Sequence, residues 1–117
     1  MSFIIEQIPL NYNEQRALKG ILEELTSRFP FIKKIILYGS KARGDFIEDS
    51  DIDLLFIVEG DVPRSTKMQM NDAIYNYELS HDVVISAIFI SEKDFRDKVN
   101  TFLMMVRKEG IVIWLRE

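Results

Sequence analysis

The chain contains no cysteine among its 117 residues, so disulfides and thiolate zinc sites are excluded, which is compatible with a reducing cytosol. A single histidine, His81, cannot build a His-rich metal site. No apolar run approaches the roughly 18 residues needed to span a bilayer. The start, Met1-Ser2-Phe3-Ile4-Ile5-Glu6, lacks the basic stretch and long apolar core of an export signal. A cytoplasmic protein without membrane contact is expected. Positive charge is also short: 15 Lys and Arg against 19 Asp and Glu leave a net charge of −4. Broad nucleic-acid binding needs a basic face, so no direct nucleic-acid partner is expected.

The length fits one domain that buries roughly two-thirds of its unfolded surface. Residues 1–12 read as an extended lead-in, with Pro9 opposing a helix. Leu18, Ile21, Leu22, Leu25 and Phe29 form one apolar helical stripe over about 13–28, closed by Pro30. After a turn at Gly60-Asp61-Val62-Pro63, helical spacing returns over 64–80, with Met70, Ala73, Ile74 and Tyr77 on one face. His81 to Ile90 reads as a strand with Asp82, Val84, Ser86 and Ile88 on one face. Ser91 and Asp94 open a further helix whose stripe, Phe95, Val99, Phe102, Leu103 and Val106, ends at Gly110. Ile111 to Leu115 makes a last strand. The alternation predicts an α/β fold, a mixed β-sheet with packed helices.

The chemistry concentrates in residues 35–58. Ile35 to Tyr38 is a continuous apolar run, as in a strand buried on both faces. Gly39 permits a tight turn, and the amides opening the next helix, with the Ser40 hydroxyl, offer an anion site. Lys41 and Arg43 add positive charge on what reads as a short exposed helix. Ile52 to Val58 is a second strand. Asp51 and Asp53 project from one face of it with Cα atoms roughly 6.6 Å apart, at about 3.3 Å per residue. Two carboxylates held about 4 Å apart repel by roughly 4 kcal/mol at an effective dielectric near 20. The pair therefore favours a divalent cation. Magnesium suits it, because it takes one or two carboxylates and fills its other positions with water and phosphate oxygens.

Two commoner motifs fail. A Walker A loop needs Gly-Lys-Ser/Thr, but Gly44 is followed by Asp45 and Phe46. An EF-hand starting at Asp49 needs Gly where Leu54 stands and Glu where Gly60 stands. What remains is Gly39-Ser40, ten residues, then Asp51-Ile52-Asp53. The form Gly-Ser-Lys-Ala-Arg-Gly, followed by Ser-Asp-Ile-Asp-Leu, resembles the minimal nucleotidyltransferase (MNT) family of the DNA polymerase beta-like nucleotidyltransferase superfamily.

That resemblance implies a polymerase beta-like fold, with residues 1–117 as a single minimal nucleotidyltransferase domain. It also implies transfer of AMP from ATP to an acceptor hydroxyl, with Mg2+, two ions as a rule, held by Asp51 and Asp53. Gly39 and Ser40 would grip phosphates, and Lys41 or Arg43 would offset charge on the leaving pyrophosphate. Family members usually carry a third carboxylate on a neighbouring strand, and Asp82 is the position that matches. In this branch the small transferase is the antitoxin of a type VII-like HEPN/MNT toxin–antitoxin module. It places AMP on a tyrosine of its cognate HEPN ribonuclease toxin. The alternatives are an antitoxin acting by binding alone and a transferase for a small aminoglycoside-like molecule. A partner-binding face is expected to include some of Met68, Tyr75 and Met104, which lie off their helices' core stripes.

Overall fold

Asn11 and Glu14 start the first long helix by a reciprocal exchange. The Asn11 side chain accepts the Glu14 N–H at 2.8 Å, and Glu14 Oε1 accepts the Asn11 N–H at 3.0 Å. In the computed structural model, which describes residues 5–44 and 50–117, this helix, α1, runs Tyr12–Arg28. The predicted stripe of Leu18, Ile21, Leu22 and Leu25 is buried along it. The lead-in differs from expectation. Ile5–Gln7 forms one 3-10 turn, and Ile5, Ile8 and Leu10 are buried in the core. Residues 1–4 of the lead-in and 45–49 of the motif loop lie outside the described residues.

After α1 come β1 (Ile32–Tyr38), α2 (Gly39–Arg43), β2 (Ile52–Val58), α3 (Arg64–His81), β3 (Ile85–Ser91), α4 (Glu92–Asp97), α5 (Thr101–Glu109) and β4 (Ile111–Leu115). The four strands form one sheet in the order β3-β2-β1-β4. β1 runs antiparallel to both β2 and β4, while β2 and β3 are parallel and α3 makes the crossover between them. The sheet is mixed, as expected. Among the described residues, no helix is long and apolar enough to cross a membrane.

Strand alternation divides the core between two faces. Ile35, Leu37, Leu54 and Phe56 pack with residues of α1 and α3. Ile36, Tyr38, Leu55 and Ile57 pack with Leu103 and Val106 of α5. On the first face Gly20 lets the Tyr77 ring press against α1, where a β-carbon would collide with it. Tyr77 then donates its hydroxyl to Glu24 at 2.9 Å.

β1 begins at Ile32, three residues before the apolar run read from the sequence, and two larger differences follow along the chain. The strand expected from His81 begins at Ile85 instead, because α3 continues through His81 and ends at Asp82, whose φ of 53° is left-handed. The Val83 N–H still bonds back to the Glu78 carbonyl, and the Glu78 carboxylate takes the Ile85 N–H at 3.0 Å. The β-branched Val83 and Val84 imitate a strand start, but they form the link. The single helix expected from Phe95 to Gly110 is two helices. Asn100 accepts the Leu103 N–H at 2.8 Å and starts α5 afresh. Val99 falls in the break and is 78 % exposed, so it belongs to no core stripe.

Candidate active site

The turn from β1 into α2 and the start of β2 face each other because β1 and β2 are antiparallel. Tyr38 and Asp53 are register partners across that pair. Asp53 shares the parity of Leu55 and Ile57, so its side chain opens on the α5 face of the sheet. Asp51, two residues earlier, has the same parity and is exposed. Burial raises the Asp53 pKa, the Asp51 charge raises it further, and Arg43 partly offsets both. The two carboxylates thus act on each other electrostatically.

Gly39 adopts φ of +74°, a backbone region L side chains rarely adopt. A β-carbon there would overlap Asp53 Oδ2. Only a residue without a side chain brings the turn directly against the carboxylate. Ser40 follows within α2 and is half-buried. Tyr38 walls the site from below; its ring meets Phe102 edge-on at 5.3 Å. Burial and then Asp53 raise the Tyr38 pKa. These residues fit a hard divalent cation: two oxygen donors whose mutual repulsion Arg43 offsets only in part.

Lys41 is not on a solvated surface. Its side chain is 1 % exposed, and Nζ lies 2.8 Å from Glu14 Oε2, itself on a side chain 7 % exposed. Glu14 therefore holds the Asn11 amide with one oxygen and Lys41 with the other. Lys41 fixes α2 to the start of α1. Arg43 Nη1 lies 3.1 Å from Glu109 Oε2 and ties α2 to the end of α5, while its charge still acts on Asp53.

Asp82 is not at a strand start. It caps α3, and it lines a cavity of about 360 Å³ with Ser50 and Glu14 whose lining includes neither Asp51 nor Asp53. Among the described residues, no three acids or histidines are grouped to hold a metal. In the parallel register the residue beside Asp53 is Ser86. Sequence reasoning put Ser86 on the face of Asp82, but the register that sets it beside Asp53 depends on pairing with a distant strand. Also missed was Ser50, whose hydroxyl is buried with no hydrogen-bond partner among the described residues.

Of the residues some of which were expected on a partner face, Met68 and Tyr75 share helix α3, while Met104 stands apart on α5. All three are exposed, at 57 %, 56 % and 58 %. Met68 and Tyr75 lie on α3, whose core residues pack on the first sheet face, and Met104 lies on α5, which packs on the second.

A mixed four-stranded sheet that presents an acid pair against a Gly-Ser turn defines a nucleotidyltransferase-type α/β enzyme. Residues 18–113 match the family described as nucleotidyltransferase domain, and the chain belongs to it. It is 41 % identical over 104 residues to a Methanocaldococcus jannaschii protein named "Putative protein adenylyltransferase MJ0604", covering 87 % of this chain and 99 % of that one. Its fold resembles that of a solved toxin–antitoxin with AMP-PNP, with a TM-score of 0.61 at 16 % identity over 87 % of this chain and 73 % of the other. It also resembles a chain in the complex of tri-AMPylated Shewanella oneidensis HEPN toxin with MNT antitoxin. There the TM-score is 0.58 at 16 % identity, over 88 % and 73 % of the two chains.

Proposed function

We propose that this chain transfers AMP from ATP to a tyrosine hydroxyl of a cognate helical HEPN toxin and so acts as its antitoxin. The observation that carries the reading is the Asp53 carboxylate lying against Gly39, with Asp51 beside it. The identity to a protein named as an adenylyltransferase supports the reaction, and the fold likeness to an MNT antitoxin supports the partner.

In the reaction, the acceptor oxygen bonds to the α-phosphorus of ATP as the bond from that phosphorus to the bridging oxygen of pyrophosphate breaks. Phosphoryl transfer of this kind depends on positioning and charge neutralisation. Asp51 and Asp53 would hold magnesium, which supplies the positive charge that brings a triphosphate to an acidic pair. The Gly39 and Ser40 amides and the Ser40 hydroxyl bind the outer phosphates. Arg43 offsets charge on the departing pyrophosphate. Lys41 and Glu14 hold the gripping helix in place.

The test mixes purified chain, Mg-ATP and a cognate HEPN toxin, and weighs that toxin by intact mass spectrometry. Increments of one AMP on a tyrosine, lost with Asp51→Asn, are expected. A toxin silenced without any mass change would replace transfer by simple masking.

A further inference from the structure

Helix α3 is apolar on both sides. Met70, Ala73 and Ile74 face the core and are buried. At 3.6 residues per turn, Met68, Asp72, Tyr75 and Leu79 make a second stripe on the opposite, outward side. Its apolar members are 57 %, 56 % and 64 % exposed. A lone exposed apolar residue is ordinary, but three aligned on one helix face form a patch that marks a contact.

The charges beside this stripe indicate what covers it. Arg64 and Lys67 stand at the start of α3, Glu78 and Asp82 at its end, and all four fall on the same flank. The other flank, Ser65, Gln69, Asn76 and Ser80, is uncharged. A parallel copy would set this charged flank against the uncharged one and leave its charges without partners. An antiparallel copy, related by a two-fold axis between Asp72 and Tyr75, pairs the stripe residues with one another and brings the basic start of the charged flank alongside its acidic end. Met68 meets the partner's Leu79, Asp72 meets the partner's Tyr75 hydroxyl, and the basic end meets the acidic end. A two-fold contact demands this self-complementarity of a single patch, and opposed helix dipoles favour it further. We propose that the outward face of α3 pairs antiparallel with α3 of a second copy of this chain. This surface is separate from the acid pair, so the dimer leaves both active sites open. One helix face per copy places the buried area below roughly 1,200 Å², in the range of weak complexes.

The absence of native cysteine makes a crosslinking test clean. A chain with Met68→Cys is mixed with one carrying Leu79→Cys under mild oxidation, alongside sedimentation of the unaltered protein from about 10 to 500 μM. The expected result is a monomer–dimer equilibrium weakened by salt and by Leu79→Glu, with the mixed 68–79 disulfide forming first. In this register two copies of position 79 lie about 16 Å apart along the helix, beyond disulfide reach. Sedimentation as a monomer throughout the range would overturn the proposal, whether or not the face binds a different protein. So would a 79–79 disulfide forming faster than the mixed one. Circular dichroism of Leu79→Glu checks that its fold is unchanged.

Discussion

Lys41 Nζ and Glu14 Oε2 stand 2.8 Å apart in a pair almost wholly shut off from solvent. Removing one member of a buried pair strands the other charge, at a cost of about 3–5 kcal/mol. Lys41→Met is therefore expected to lose that much stability in urea denaturation. Adding Glu14→Gln should restore the part owed to the stranded Glu14 carboxylate, since the amide oxygen can still accept the Asn11 N–H. If the pair serves only to hold α2, the double variant should transfer AMP within about threefold of wild type, whereas loss of a charge contact at the reacting centre carries effects of about 10²-fold. A loss of that larger size with stability restored would return Lys41 to the phosphates.

Gly39 and Gly44 offer a matched comparison. Both have positive φ, at +74° and +80°. Only Gly39 would drive a β-carbon into Asp53, while around Gly44 the space is open. Each Ala substitution should cost about 1–2 kcal/mol of left-handed strain. Gly39→Ala should in addition lower transfer by about 10²-fold, the expected penalty for misplacing a reacting group. Steady-state rates of the two variants check this; equal losses would mean that strain alone acts.

Much of this arrangement could be read along the chain. Apolar runs located Ile35–Tyr38 and Ile111–Leu115, and alternation put Asp51 and Asp53 on one face. These are local patterns, governed by the two-residue period of a strand. What escaped depends on contacts between distant positions. Nothing near Lys41 announces that its counterion is Glu14, a residue of another helix. The Val83-Val84 pair carried strand propensity, yet Asp82 could accept a left-handed φ and let α3 run to the strand's edge. Asn100 was an available cap inside an unbroken apolar pattern, and the cap prevailed.

Asp53 gives a prediction about pH. Burial and Asp51 raise its folded-state pKa above the ordinary 3.8. A carboxyl raised in this way favours the folded state fully below the unfolded pKa, and the advantage is lost as pH rises through the folded value. At neutral pH the ionised Asp53 therefore works against the metal-free protein. Asp53→Asn, measured with EDTA, should melt a few degrees higher at pH 7, and the difference should shrink as pH falls toward 4. Magnesium should raise the melting temperature of wild type and leave the variant unmoved. A variant that melts lower at pH 7 would contradict a net repulsion at Asp53.

Asp82 can be tested in two roles, a third carboxylate and a helix cap. A third carboxylate would make Asp82→Asn lose transfer by about 10²-fold, as removal of a general base does. The fold instead gives Asp82 the left-handed cap of α3, with φ of 53°, and asparagine adopts that conformation readily. Asp82→Asn is therefore expected to keep both stability, within about 0.5 kcal/mol, and the transfer rate, within about threefold. Asp82→Val probes the cap itself. A β-branched residue at positive φ is a genuine outlier, so this variant should lose about 1–2 kcal/mol while its Mg-ATP affinity holds. Rates and melting curves for both variants decide the matter. If Asp82→Asn lost two orders of magnitude in transfer with its stability intact, the acid would be acting on the acceptor from the α3 cap, and the two-carboxylate site would be incomplete.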